Sequence, residues 1–425
     1  MHLDLKDFVP VDGDPRTEAL SYQAFNQFAY GGRDEAPVLP PYQQLRTLCE
    51  WYFKSLNPWL PILHKPTFFS MLDRIHHDPT YSMTTTETVQ IHMVVAHMLY
   101  QYTTRNNMLH ENSFVDHYKY ALGFTHELSR DNTLSGVQSL ALILSFLRSS
   151  PRPGAAWAFS CTVLTKAIEM GLHRSVSAWN LDADTDPHQA EMRKRIFWSV
   201  LICHVVVGSR LGRPLILRLE DFDVEFPKHD HDFLAEETPT SDWEKCSFGI
   251  GIYSCRLTVL HMQIYTSLYS VRPTSLQPYE QMVKQLDKEV DTWYASMPSE
   301  LRAPHLAPQE RVFVLYTQHN YQHLRMLLHH PATCRTPSQE LTTRNLDLCL
   351  DASSKLLQIA SDMKDLKSLD TTWTNTTIYL AAIFTTLFAF LERRDQITSS
   401  EFTNLRDSMD RWLDIMGELG QFLGA

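Results

Sequence analysis

Between Glu191 and Pro227 the chain runs EMRKRIFWSVLICHVVVGSRLGRPLILRLEDFDVEFP, and no other stretch constrains the fold as strongly. It opens on charges, enters an apolar helix that carries the aromatic pair Phe197-Trp198, breaks at Gly212-Arg213-Pro214 and closes in a tail of alternating acidic and apolar residues. The upstream elements are expected to pack against that helix. Phe197, Val200, Leu201 and Val205 fall on one side of it at helical spacing, the core side. Glu191 and Arg195 stand one turn apart and are expected to pair on its exposed face.

Helical spacing recurs along the chain. Residues 1–40 mix Pro, Gly, acids and aromatics without a lasting period and read as an irregular arm. From Pro41 a helix carries Leu45, Leu48, Cys49, Tyr52 and Phe53 and ends near Asn57-Pro58. Three prolines then force an extended turn through Pro61, His64 and Pro66, after which Thr67 is placed to cap a helix through Phe68 and Ile75. Another helix starts at Thr84–Glu87, one spans Phe114–Leu128, and Ala141–Leu147 is apolar nearly all round and therefore central. After the linker Ser149–Gly154, the helix Ala155–Met170 ends at Gly171, whose missing Cβ suits a left-handed closing residue. Beyond Pro227, residues Lys228–Trp243 connect to six further helices, at roughly Cys246–Ser270, Gln277–Ala295, Arg311–Leu328, Asn345–Asp362, Thr371–Leu391 and Glu401–Phe422. Only Leu215–Phe226 alternates like a strand. The expectation is an all-α fold, a large multi-helical body with no substantial sheet: an arm at 1–40, a core at 41–232 and a helical continuation at 233–425.

Composition narrows the function. The 425 residues are 44% hydrophobic and 20% charged, as in ordinary globular proteins. The net charge of −11 argues against direct nucleic-acid binding, since the compact basic cluster is just Arg193-Lys194-Arg195. Seven scattered cysteines fit reduced intracellular thiols better than disulfides or a structural zinc site. The acidic N-terminus lacks the features of a secretory signal, and Ile378–Leu391 falls short of the roughly 20 residues that span a bilayer. A soluble intracellular chain with no membrane partner is expected.

Candidate ligand sites read as structure. Asp182, Asp184 and Asp186 imitate a calcium loop whose glycine is replaced by Pro187. His229-Asp230-His231-Asp232 and His329-His330 have metal-ligand types but read as solvated polar loops. Gly208-Ser209-Arg210-Leu211-Gly212 is no nucleophile elbow, and Gly249-Ile250-Gly251 lacks a dinucleotide fold's third glycine. The aromatic set Trp51, Tyr52, Phe53, Trp59, Phe68, Phe69, Phe197 and Trp198 reads as core ahead of pocket lining. No catalytic, cofactor or metal residue is expected.

Four landmarks together carry a resemblance: Pro61-Ile62-Leu63-His64-Lys65-Pro66-Thr67-Phe68; the turn Arg152–Trp157, with Gly154 and Trp157, whose helix ends Gly171-Leu172-His173-Arg174; Glu191–Trp198; and Leu211-Gly212-Arg213-Pro214 followed by Asp221, Asp223 and Pro227. In this order and spacing, across about residues 41–230, they resemble the fungal-specific transcription factor regulatory domain, the middle homology region of binuclear zinc cluster regulators. The resemblance implies action in the nucleus through transcription machinery or other regulators, with a possible small-molecule effector. It departs from the family in lacking six closely spaced cysteines before Cys49, so a DNA-binding module is expected to be absent from this chain.

The expected function is a transcription-regulator-like effector module with no DNA-binding domain of its own. The alternative is a small-molecule-binding protein or enzyme on the same scaffold, of the kind found in a fungal metabolic gene cluster. Arg213 is expected to pair internally with Asp221, Asp223 or Glu191, and His173-Arg174 to cap and pack a helix end.

Overall fold

The computed structural model describes residues 22–106, 113–149, 154–176, 186–228, 248–272, 278–302, 308–330, 338–369 and 372–423. Among them every regular element is helical and no strand forms, so the fold is all-α. The helices are α1 (Tyr22–Tyr30), α2 (Tyr42–Ser55), α3 (Lys65–His77), α4 (Thr85–Arg105), α5 (Ser113–Leu122), α6 (Thr125–Arg130), α7 (Leu134–Ser149) and α8 (Gly154–Glu169). They continue as α9 (Pro187–Arg210), α10 (Gly249–Leu268), α11 (Tyr279–Ala295), α12 (Pro308–His329), α13 (Gln339–Asp365), α14 (Trp373–Glu392) and α15 (Ser399–Leu423). The chain divides into two compact units, one up to Thr258 and one from Val259, a boundary that falls inside α10.

Three helices of the first unit are buried on every face over about half of their length: α4 from Thr88 to Met98, α7 from Ser139 to Leu147 and α9 from Arg195 to Val205. Helix α7 packs against both α4 and α9, α8 closes over α7 and α9, and α2 and α5 flank α4. Helix α4 starts with a reciprocal cap: Thr84 accepts from the Glu87 amide while the Glu87 carboxylate accepts from the Thr84 amide.

The two landmark glycines close their helices in the same way. Gly171 has φ +65° and Gly212 φ +64°, a region that residues with a Cβ enter only under strain. After Gly171, Leu172 donates to the Ala167 carbonyl at 2.9 Å; after Gly212, Arg213 donates to that of Gly208 at 2.8 Å. Both are Schellman closures.

Several sequence expectations are corrected. Residues Tyr22–Tyr30, inside the stretch read as irregular, form α1, whose Phe25 packs edge-on against Phe159. Thr67 does not cap α3, because the helix starts at Lys65 with His64 in the cap position, and the Thr67 hydroxyl bonds the His64 ring at 2.7 Å. The helix expected over Phe114–Leu128 is two helices broken at Gly123, where a Cβ would come within 2.7 Å of the Arg33 side chain. Leu215–Phe226 is no strand: it turns once in 3₁₀ form at Leu219–Asp221 and finds no strand to pair with among the described residues.

In the second unit α12 pairs with α13, and α13 also packs against α14 and α15. Tyr379 and Trp412 sit in the resulting core with Leu356, Ile378, Ile415 and Leu419. Helix α14 is 20 residues long and, by length and composition alone, apolar enough to cross a membrane. The stretch Ile378–Leu391, too short by itself, is its C-terminal part, and the turn that begins at Trp373 supplies the rest.

Candidate functional site

The landmark residues gather round α9. Asp186 caps the helix by accepting from the His188 amide at 3.2 Å, and Pro187 occupies its first turn. That is the role of the one acid of the calcium-like triplet within the described residues; Asp182 and Asp184 lie outside them. The His188 ring lies 4.3 Å from that of His64, which brings the proline-rich turn to the start of α9. The turn is itself held from inside: buried Asn57 bonds both the amide and the carbonyl of Leu63, and Gln138 donates to the Ile62 carbonyl at 2.8 Å. Pro61 and Pro66 frame it, and Phe68 continues it into the core, edge-on to Phe53 at 5.6 Å.

Glu191 and Arg195 pair as expected in partner but not in place. The Arg195 guanidinium reaches the Glu191 carboxylate at 3.6 Å, yet Arg195 is 1% exposed and Glu191 8%, so the pair is buried. Arg195 also lies 3.8 Å over the ring of Phe248, and the Glu191 carboxylate accepts from the Lys228 amide at 2.9 Å. A residue downstream of the tail covers the face that the sequence left exposed. Burial pushes the Glu191 carboxyl above its ordinary range, against the pull of the Lys228 amide and Arg195.

The tail clasps the far side. Its Asp223 and Val224 amides both donate to the His173 carbonyl, while the Asp223 carboxylate takes Arg174 through two bonds, at 2.9 and 3.1 Å, and the Ser175 amide at 2.8 Å. The Arg174 pair, then the Ser175 amide, hold the Asp223 carboxyl below the usual carboxylate range. The anion that His173-Arg174 could bind is therefore supplied by the chain itself. Trp198 donates from its indole to the Glu225 carbonyl at 3.0 Å and is ringed by Phe197, Phe222 and Phe226. Pro227 ends this tail just before the Lys228 contact.

Trp157 and Gly212 complete the set at the C-terminal end of α9. Arg213 lies over the Trp157 ring at 5.5 Å. The acids expected to pair with it serve other arginines: Asp221 holds Arg218, Asp223 holds Arg174 and Glu191 holds Arg195. Pro214 follows the left-handed Gly212, and Gly154 begins the helix that carries Trp157.

Two residues that sequence reasoning passed over belong here. His204, fully buried in α9, accepts the Ile216 amide at Nε2, and its Nδ1 faces the Ser160 hydroxyl at 3.0 Å, which in turn donates to the Trp157 carbonyl. Burial lowers this imidazole to about 4, so it stays neutral and serves as donor and acceptor at once. A lone histidine inside an apolar run was the available signal. Gly251 lets α10 lie on the proline turn, since a Cβ there would meet the Pro58 carbonyl at 2.7 Å. Its signal was the pair Gly249-Gly251, weighed for nucleotide binding and not for close packing.

The remaining candidates resolve as structure where they are described. Of the aromatic set, Tyr52, Phe53, Phe68 and Phe69 are buried against one another and Phe197 and Trp198 are buried in a separate group with Phe222, while Trp51 is exposed. His329 is not in a solvated loop: it ends α12, buried, between Asn345 at 3.1 Å and Asp287 at 3.0 Å. His229 to Asp232 lie outside the described residues. Cys49, Cys203, Cys255 and Cys349 are buried free thiols, and burial pushes Cys49 up to about 12 and Cys203 to about 11. Among the described residues no group of three or more His, Cys, Asp or Glu is placed to hold a metal.

Fold and site together define an all-helical domain whose marked residues fix one buried helix. The model of the family described as fungal specific transcription factor domain matches residues 50–295, more than half of the chain, and the chain belongs to that family. The match runs past the unit boundary to the end of α11. An ABC-transporter-regulating transcription factor of Aspergillus oryzae is 27% identical over 271 residues, 63% of this chain and 30% of that protein. Activator of stress genes 1 of Saccharomyces cerevisiae is 22% identical over 344 residues, 77% of this chain and 35% of that protein. An uncharacterized transcriptional regulatory protein of Schizosaccharomyces pombe is 23% identical over 283 residues, 65% of this chain and 45% of that protein. The chain thus spans less than half the length of these relatives. No solved structure matches it.

Proposed function

We propose that this chain is the effector module of a transcription regulator that acts in the nucleus. It works through protein partners or a small-molecule effector and meets DNA through another domain or protein. Family membership supports the class of function, and the convergence of the landmarks on α9 supports the mechanism. A helix that is buried on every face and clasped at both ends cannot drift by small steps, because packed interiors do not deform continuously. An effector or partner that prefers a second packing of α9 therefore shifts a population between two states. The acidic net charge of −11 suits a module with no need to approach phosphate.

The test is a reporter assay in which the whole chain is tethered to an unrelated DNA-binding domain. Output is expected to differ several-fold from that of the DNA-binding domain alone, in either direction. Output equal to that of the DNA-binding domain alone overturns the effector reading. Hydrogen exchange over Glu191–Gly212 that is unchanged by every partner or effector able to alter the output would overturn the α9 switch.

A further inference from the structure

Helix α14 carries a second feature, independent of α9. Its inner face, with Ile378, Tyr379, Ala382 and Ala389, is buried against the core of the second unit. Its outer face is left open by the described residues of the second unit: Leu380 is 38% exposed, Phe384 66%, Leu387 42%, Phe388 44% and Leu391 58%. No charged residue stands between Trp373 and Leu391 to solvate that stripe. With about 200 Å² for a fully exposed side chain of this size, the five leave on the order of 500 Å² of apolar surface open on one side of the helix. A patch of that size matches the largest on a typical single chain, and such patches often serve a function.

We infer that this face binds the same face of a second copy of the chain, with the two α14 helices antiparallel about a two-fold axis. The spacing Leu380, Phe384, Leu387, Leu391 is four, three, four, which reads the same from either end. A two-fold axis at the midpoint between Thr385 and Thr386 sets Leu380 opposite Leu391 and Phe384 opposite Leu387, so every large side chain faces another. Isologous pairing requires that self-complementarity, and the mean spacing of about 3.7, close to the turn of a straight helix, keeps the four side chains in one stripe. Antiparallel helices also set their dipoles favourably.

The area agrees. Two copies would bury on the order of 1,000 Å² of apolar surface here; at the usual apolar share of about 65% for such interfaces, the whole contact is about 1,500 Å², inside the range of specific dimers. A lipid surface fits less well. The basic residues at the rim are already engaged, Arg393 with Asp347 and Arg394 beside Asp395, and the chain carries a net charge of −11.

The experiment is sedimentation of the whole chain over a concentration series, with Phe384→Glu as the variant. Wild type is expected to dimerise at micromolar concentration, and the variant, which places two charges in one seam, to weaken the dimer at least about 100-fold while the melting curves of the two chains coincide at concentrations where both are dissociated. A second measurement fixes the geometry. Chains with Leu380→Cys mixed with chains with Leu391→Cys should form an oxidative cross-link between the two variants, and neither should do so alone to a comparable extent. A wild type that stays monomeric, a dimer that Phe384→Glu leaves intact, or vesicles of phosphatidylcholine and phosphatidylserine that bind wild type but not the variant would each overturn the proposal.

Discussion

The two units treat their apolar helices in opposite ways. In the first, α4, α7 and α9 are enclosed, and even the ion pair of Glu191 with Arg195 is taken inside. In the second, α14 is as apolar as any of them, yet it buries one face and displays the other. The enclosed helices explain where the family landmarks went, for those residues make turns, caps and clasps that fix α9. The displayed helix has no landmark on it and lies outside the residues matched by the family model. Internal order and external contact are thus assigned to different parts of the chain.

The comparison breaks most readily at the buried pair. Arg195→Ala strands the Glu191 carboxylate and should cost about 3–5 kcal/mol, whereas replacing both residues with apolar ones of similar size should cost far less. Phe197→Ala, at a site with no exposure, should also cost about 3–5 kcal/mol in denaturant unfolding. A loss below about 1 kcal/mol for either would show that α9 is not enclosed.

Acid acts on the first unit too, and each buried histidine gives the next largest single effect. Burial holds His97 and His204 down to about 4 and His92, beside His117, to about 3, against 6.5 in the unfolded chain. The unfolded state therefore binds more protons below 6.5. Stability should be complete above pH 6.5 and fall as the pH drops towards 4, by about 2 kcal/mol for each histidine at pH 5. Thermal melts from pH 7 to pH 5 read this directly, and His204→Gln should flatten the decline by one histidine's share.

These effects also show which parts of the fold the sequence disclosed. Helices with apolar stripes and glycine closures were visible, because 3.6-residue spacing and a left-handed glycine are local facts: Gly171 and Gly212 stand where the pattern put them. The burial of Glu191 and Arg195 was not visible, since two charges one turn apart look solvent-facing until Lys228 and Phe248 arrive from outside the helix. The acidic tail looked like the partner of nearby Arg213 for the same reason, whereas Asp223 is taken by Arg174, 49 residues away in the chain and in no local pattern with it. Which of several acids an arginine meets is settled by tertiary contact. His204 was hidden within an apolar run, where its bonds to Ile216 and Ser160 leave no trace in spacing.

Smaller effects sharpen the contrast at the helix ends. A Cβ at Gly212 meets nothing within 4 Å, so Gly212→Ala should cost the left-handed strain alone, about 1–2 kcal/mol. In the second unit Lys367 closes α13 at φ 50°, so Lys367→Gly should gain up to about 1 kcal/mol. The smallest effect is on the displayed face: Phe384→Glu should change the stability of the dissociated chain by less than about 0.5 kcal/mol. A larger loss would mean that α14's outer face is internal after all.

The central claim, that the landmarks act by clasping α9, is tested most directly by native-state hydrogen exchange of the whole chain with and without Arg174→Ala. Amides of Ile196–Val205 should be among the slowest in the wild type. In the variant, protection should fall over residues 222–227 and along α9, with α13 and α14 unchanged. Unaltered protection along α9, or an equal loss in α13 and α14, would contradict the account.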